Sequence, residues 1–466
     1  MAIESINPAN GRTIKSYEEM TPAQVAGAIE QAHAAWQTWR RTPFSARAPL
    51  MKKAAGILRD RKRELATLMA VEMGKPLKQG IAEAEKCAWA CDYYADHAEA
   101  HLAPDTVPTD GAYSYVAFEP LGVVLAVMPW NFPLWQVYRF AAPALMAGNA
   151  GLLKHASNVP ACALVIEEML TQAGFPAGVF RTLLVGSRQV RAIIEHPLVR
   201  AVTLTGSTPA GESVASQAGA VVKKTVLELG GSDPYLVLED ADLDAAARTC
   251  VDSRLINSGQ SCIAAKRFIV VEAIRAAFTD RFVALMKAKK VGDPLDETSD
   301  VGPLARRDLR DDLHGQVRAS IDRGATLLLG GEIPAGDGAY YPPTVLANVR
   351  PGMPAYDDET FGPVAAIIAA KDDRDAVRIA NDTVFGLGAA VFTKDLARGE
   401  RIARELDAGT TVVNGAVASD PRLPFGGIKK SGYGRELGEF GIREFVNIKT
   451  VSLKGARPPD ASLASE

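Results

Sequence analysis

A chain of 466 residues exceeds what one hydrophobic core usually supports, so two or three domains with a cleft between them are expected. Hydrophobic residues at 47%, charged residues at 23% and a formal net charge of -3 are ordinary for a globular protein and exclude a polyanion such as nucleic acid as partner. Cys87, Cys91, Cys162, Cys250 and Cys262 are spaced for neither a disulfide framework nor a metal site, which with the absence of a secretory pattern at the N-terminus places the chain in a reducing cytoplasm.

Residues 22–41 and 46–72 carry apolar side chains at three- and four-residue spacing and are expected to be helices, with a break at Gly74-Lys75-Pro76. Residues 106–119, with Asp110-Gly111 between two strand-like runs, are expected to form a hairpin. The apolar stretch 121–138 is long enough to suggest a membrane span, but Pro129, Asn131 and Pro133 interrupt it and predict a buried strand, a loop and a helix.

Short apolar runs at 123–127, 151–153, 181–185, 201–204 and 225–227 alternate with helical windows at 134–147, 160–173, 188–195 and 209–218. That alternation predicts parallel βαβ units and a nucleotide-binding layer. A second series begins near Asp233 and runs through 268–271, 363–369, 389–392 and 411–413, with helices at 241–255, 273–289, 374–381 and 396–406. The fold class is therefore α/β with two such domains, and only the tail 454–466 reads as disordered.

Gly206-Ser207-Thr208-Pro209-Ala210-Gly211 follows a predicted strand and opens a predicted helix, where backbone N–H groups can receive phosphate. Glu212-Ser213 stands where a P-loop needs lysine, which excludes a nucleoside triphosphatase; a turn without ligand fits the spacing equally well. Lys154 lies at the carboxyl edge of the predicted sheet, where a solvated lysine is the ordinary explanation. Cys262 follows Asn257-Ser258-Gly259-Gln260-Ser261, a polar run that offers a packing cysteine little to pack against and suits a nucleophile. Glu228, between Leu227 and Leu229 and before Gly230-Gly231, suits a general base of raised pKa, although a surface glutamate is commoner.

Six motifs together resemble the aldehyde dehydrogenase superfamily over nearly the whole chain. They are Pro129-Trp130-Asn131-Phe132-Pro133, Thr205-Gly206-Ser207 with Gly211, Leu227-Glu228-Leu229-Gly230-Gly231, Gly259-Gln260-Ser261-Cys262, Glu359-Thr360-Phe361-Gly362-Pro363, and Pro424-Phe425-Gly426-Gly427 with Ser431-Gly432. The resemblance implies a Rossmann-like cofactor domain (1–102 and 120–231), a catalytic α/β domain (232–444) and a small β element for oligomerisation (103–119 and 445–456). It implies that Cys262 attacks the aldehyde carbon while the Asn131 amide and the Cys262 N–H hold the oxyanion, that hydride passes to a nicotinamide, and that Glu228 activates the water that hydrolyses the thioester.

By the same resemblance Pro129, Trp130, Lys154, Ser157, Gly206, Ser207, Gly211, Leu229, Glu359 and Phe361 contact NAD or NADP. Members that strongly prefer NAD often carry a glutamate three residues after the lysine; Ser157 stands there, so NADP is expected to be accepted or preferred. Trp135, Arg139, Arg422 and Phe425 are implied substrate contacts, with either arginine able to pair with a distal carboxylate. Arg139 and the pattern Ala264-Ala265-Lys266-Arg267-Phe268 are similar to bacterial succinate-semialdehyde dehydrogenases. Ile256 departs from the best-known of these, which have an arginine six residues before the cysteine. Another short semialdehyde or an uncharged aliphatic aldehyde is the alternative substrate, and a catalytically silent cofactor-binding protein is the rival class. The resemblance further implies a homodimer or homotetramer, with no membrane partner.

Overall fold

The computed structural model describes residues 2–454; the tail expected to be disordered lies, past Lys454, outside the described residues. Two sheets organise the molecule. The first has six strands in the order Gly432–Tyr433, Lys224–Glu228, Val199–Thr205, Val123–Met128, Ala150–His155 and Phe180–Thr182. The last five are parallel and coincide with the five apolar runs of the sequence, while Gly432–Tyr433 adds an antiparallel edge from the far end of the chain. Helices cover the sheet, so these strands are buried almost throughout, which is why they read as continuous apolar runs without alternation.

The second sheet has the order Thr326–Leu329, Thr344–Ala347, Val364–Ala370, Arg267–Val271, Pro234–Val237, Gly388–Phe392 and Thr410–Val413, parallel except for the first strand. Its first two strands, the helix Arg307–Asp322 and the N-terminal pair Ala2–Ile6 and Thr13–Glu18 are additions to the elements read from the sequence.

Two expectations are corrected. Residues 46–72 form two helices, Phe44–Asp60 and Lys62–Met73, because the backbone leaves the helical region at Arg61 (φ -96°, ψ 7°), whose guanidinium binds Glu64 and, from another helix, Glu168. The hairpin at 106–119 is mostly replaced by a longer-range pairing. Only Asp105–Thr106 pairs locally with Tyr113–Pro120, whereas Val446–Leu453 pairs with that strand over eight residues. Among the described residues no helix is long and apolar enough to cross a membrane; the stretch 121–138 is a strand, a loop and the start of the helix Trp135–Met146.

Candidate active site

Cys262 lies on the loop between the helix Leu243–Leu255 and the strand Arg267–Val271, and this loop is strained. Asn257, Ser258 and Gly259 have φ of 52°, 57° and 80° in succession, a conformation that costs about 1 kcal/mol or more at each of the two side-chain-bearing residues. Neighbours hold it. Arg254 donates to the Gly259 carbonyl (2.6 Å), Gly302 N–H to Ser258 Oγ (2.9 Å) and Ala305 N–H to Gln260 Oε1 (2.8 Å). A Cβ on Gly259 would stand 2.3 Å from the Gly362 carbonyl carbon, so the motif glycine is required by contact as well as by φ.

The buried Lys266 ammonium finishes the loop by donating to the Ser261 (2.8 Å) and Cys262 (2.6 Å) carbonyls. It also pairs with Glu359 (3.3 Å), which in turn accepts the Gly231 N–H (3.0 Å). Lys266 thereby ties Cys262 to the residue expected at the nicotinamide ribose.

Asn131 sits on the loop between Met128 and the helix Trp135–Met146. Its Nδ2 donates to the Gln260 carbonyl (3.2 Å), and its own carbonyl accepts from Asn257 Nδ2 (2.6 Å), so the two loops clasp each other. One amide proton stays available for an oxyanion, since the Nδ2 group carries two. The loop is braced from below by Glu83, which accepts the N–H groups of Leu134 and Trp135 (both 2.9 Å) at the helix start and pairs with buried Lys75. His155 braces it from the side: its Nδ1 accepts the Ala156 N–H, its Nε2 donates to the Pro133 carbonyl, and burial pulls its pKa down to about 4, keeping it neutral.

Glu228 ends the strand Lys224–Glu228 with both carboxylate oxygens buried and unbonded. Burial raises its pKa well above the carboxylate range, opposed by the Arg139 and Arg435 cations and reinforced by Glu436. The Cys262 thiol is pushed up to about 12, again mainly by burial, with Arg139 and Lys266 acting in the other direction. Arg139 is the cation these two groups share.

Arg139 is itself almost completely buried. It forms an ion pair with buried Glu436, donates from Nη2 to Thr205 Oγ1 (3.2 Å) and lies over the Phe425 ring (4.8 Å). Glu436 is fixed by reciprocal backbone hydrogen bonds with Phe425 (2.6 and 2.7 Å). Neither Glu436 nor Thr205's contact with Arg139 was signalled by local sequence.

The residues expected to hold a dinucleotide gather at the carboxyl edge of the first sheet. A Cβ on Gly211 would meet the Leu229 side chain at 2.5 Å, so glycine there lets the helix Thr208–Ala220 lie against Leu229 without displacing it, with its N-terminus beside Gly206 and exposed Ser207. The Lys154 ammonium is desolvated, which lowers its pKa, and no carboxylate contributes to its shift. Ser157 is exposed three residues on, and Trp130 and Phe361 meet edge to face at 5.7 Å, next to Pro129. An uncompensated cation, a helix N-terminus and the Glu359 carboxylate fit a nicotinamide dinucleotide, which when bound supplies a hydride acceptor. A cavity of about 520 Å³ leads to Cys262 on the other side and is lined by Phe132, Trp135, Arg139, Ile263, Val417 and Phe425, among others.

The aldehyde dehydrogenase family model matches residues 1–451. The chain belongs to the aldehyde dehydrogenase family. A Synechocystis protein named "probable succinate-semialdehyde dehydrogenase (NADP+)" is 51% identical over 97% of this chain and 99% of its own length. The succinate-semialdehyde dehydrogenase (NADP+) of Mycolicibacterium paratuberculosis is 50% identical over 100% of both chains. The crystal structure of succinic semialdehyde dehydrogenase from Streptococcus pyogenes in complex with NADP+ superposes with a TM-score of 0.95, at 36% identity over 97% of this chain and 100% of that one.

In this aldehyde dehydrogenase Cys262, Asn131, Glu228, Trp135, Arg139 and Phe425 come together, whereas Arg422 does not join them. Its exposed guanidinium is held by Asp420 (2.6 Å) and stacks on Trp89, outside the cavity lining. The expectation that it contacts substrate is corrected: the two-residue spacing to Asp420 makes a local surface pair. Arg422→Ala is expected to leave kcat/KM for an aldehyde within about twofold of the parent, as exposed pairs contribute little. A loss beyond about tenfold would return Arg422 to the site.

Proposed function

We propose that the chain oxidises succinate semialdehyde to succinate, with NADP+ accepted or preferred as hydride acceptor. The observation that carries the reading is the clasp of the Asn131 and Cys262 loops at the end of a cavity that admits an aldehyde, with Glu228 close enough for its charge to act on the thiol. The names of relatives at about half identity over the full length support the substrate. Ser157 supports the cofactor, since no carboxylate at that position repels a 2′-phosphate beside Lys154.

On this reading Arg139 and Lys266 draw the Cys262 thiol toward thiolate, which adds to the aldehyde carbon. The free Asn131 N–H and the Cys262 backbone N–H receive the oxygen as it becomes anionic. Cys262 next carries the acyl group as a thioester, and Glu228, once ionised, takes the proton of the water that cleaves it. Glu359 and Lys266, joined to the nucleophile loop, keep the dinucleotide in register with that cysteine. The three-stranded sheet containing Val446–Leu453 remains the proposed element for joining subunits.

The test is steady-state kcat/KM for succinate semialdehyde, glutarate semialdehyde and butanal, each with NAD+ and NADP+. Succinate semialdehyde is expected to exceed butanal by at least about tenfold, and NADP+ to match or exceed NAD+. Preference for butanal would overturn the substrate; a preference for NAD+ above about a hundredfold, roughly 2.7 kcal/mol, would overturn the cofactor.

A further inference from the structure

We propose that Gln79 and Glu83 are positioning residues: one turn apart on the helix Leu77–His101, they anchor the nucleophile loop and the Asn131 loop to one rigid element and so set the distance between thiol and oxyanion donor. The inference rests on the roles proposed for Cys262 and Asn131 and holds whichever aldehyde is oxidised.

Side chains four residues apart are about 6 Å apart along one face of a helix. Gln79 Oε1 accepts the backbone N–H of Asn257 at 2.5 Å. Asn257 opens the positive-φ run that leads to Cys262, so this bond holds the chain where the strained turn begins. Glu83 Oε1 accepts the N–H groups of Leu134 and Trp135 (both 2.9 Å), three and four residues past Asn131, while its other oxygen pairs with Lys75. The Lys75 ammonium in turn lies 3.7 Å from the centre of the Phe132 ring. The pair thus grips the oxyanion loop at Phe132 and at Leu134.

The helix that carries the anchors is itself fixed. A Cβ on Gly80 would stand 2.8 Å from the Ala66 Cα on the helix Lys62–Met73, so the two backbones touch at the level of the anchors. At the helix start the Leu77 N–H binds the Pro294 carbonyl (2.8 Å). Lys75 and Glu83 are almost completely buried, and an ion pair so placed contributes little stability compared with apolar groups of the same shape. Its value lies in what the carboxylate holds.

The clasp between the loops gathers its bonds at Asn131, Asn257 and Gln260, and taken alone it leaves each loop free to pivot there. Anchors on one helix, at Asn257 and at Leu134, remove the pivot. The constraint bears on the rate because an oxyanion donor acts at about 2.7–3.1 Å from the oxygen, and a misplacement of about 1 Å costs about a hundredfold.

The test is kcat/KM with NADP+ and whichever of succinate semialdehyde and butanal the parent uses better. Lys75→Met/Glu83→Gln keeps an acceptor oxygen for the Leu134 and Trp135 N–H groups without leaving a buried charge unpaired; Lys75→Met/Glu83→Leu removes that acceptor. The leucine variant is expected to fall at least about tenfold below the glutamine variant, through kcat with KM little changed, and Gln79→Leu to fall by a similar factor below the parent. Asn131→Ala is expected to cost about a hundredfold or more. In the Asn131→Ala background the losses from Gln79→Leu and Glu83→Leu are expected to shrink to within about twofold, because the distance they set then has no donor at its end. Equal losses with and without Asn131 would reduce the two side chains to general stability, and losses carried by KM would make them substrate contacts; either result overturns the inference and leaves the role of Asn131 standing. An Asn131→Ala rate within about twofold of the parent would overturn that role and the inference together. Should the Lys75 variants fail to fold, Gln79→Leu, which leaves the ion pair intact, decides by the same comparison.

Discussion

Glu228→Gln is expected to leave a single turnover and stop the enzyme there. Mixed rapidly with aldehyde and NADP+, the variant should release about one equivalent of reduced cofactor per active cysteine, followed by a steady rate about 100- to 10,000-fold below that of the parent. The geometry separates the two phases. Asn131, Cys262 and Lys266 are tied to one another and keep their hydrogen bonds without Glu228, whereas Glu359, the other carboxylate that acts on the thiol, is already held by Lys266 and the Gly231 N–H. The parent should also show a distinct pH dependence. Burial raises the Glu228 pKa above the ordinary carboxylate range, so the share of the group able to act as a base grows as pH increases. The steady rate is therefore expected to climb with pH, by up to about tenfold per unit on the limb governed by this group, and Glu228→Gln should lose that limb. A steady rate within about tenfold of the parent would remove Glu228 from the hydrolytic step.

Legibility in the sequence followed the range of the interaction. The five parallel strands of the first sheet are mostly buried and read directly as apolar runs, and Gly211 and Gly259 mark places where a Cβ would strike Leu229 and Gly362. The helix Arg307–Asp322 was not read, because Leu313 and Val317, its apolar residues at four-residue spacing, stand among charged neighbours that mask the pattern. The strand Thr326–Leu329 is different: it is an edge strand with mostly exposed leucines, so its apolar run carries no information about burial. The individual site residues were visible through their motifs, but their partners were not. Glu436 reaches Arg139, Ser419 reaches Lys86 and Glu359 reaches Lys266 from distant parts of the chain, and a residue's net charge in the site depends on those partners. That is why an arginine at 139 or 422 reads from sequence as a free cation when each is already paired.

Arg139→Met is expected to have the largest effect on stability. Both Arg139 and Glu436 are almost entirely buried, so removing the guanidinium leaves a buried carboxylate without its counter-charge. Such a break costs about 3–5 kcal/mol, far more than the intact pair contributes relative to apolar groups of the same shape. The double variant Arg139→Met/Glu436→Gln should therefore be more stable than Arg139→Met alone, with a coupling energy of about 2 kcal/mol in urea unfolding. Additive losses would mean that the two side chains act independently. The kinetic consequence follows from the same charge. Arg139 opposes the rise in the Glu228 pKa, so its loss shifts the alkaline limb of the steady rate to higher pH, and the rate on that limb falls for succinate semialdehyde and butanal alike. A residue that instead gripped the substrate carboxylate would raise KM for the semialdehyde and spare butanal. An effect confined to the semialdehyde would thus assign the carboxylate to Arg139, while an equal effect on both aldehydes leaves Arg139 tuning the base and the anionic end of the substrate to another cation.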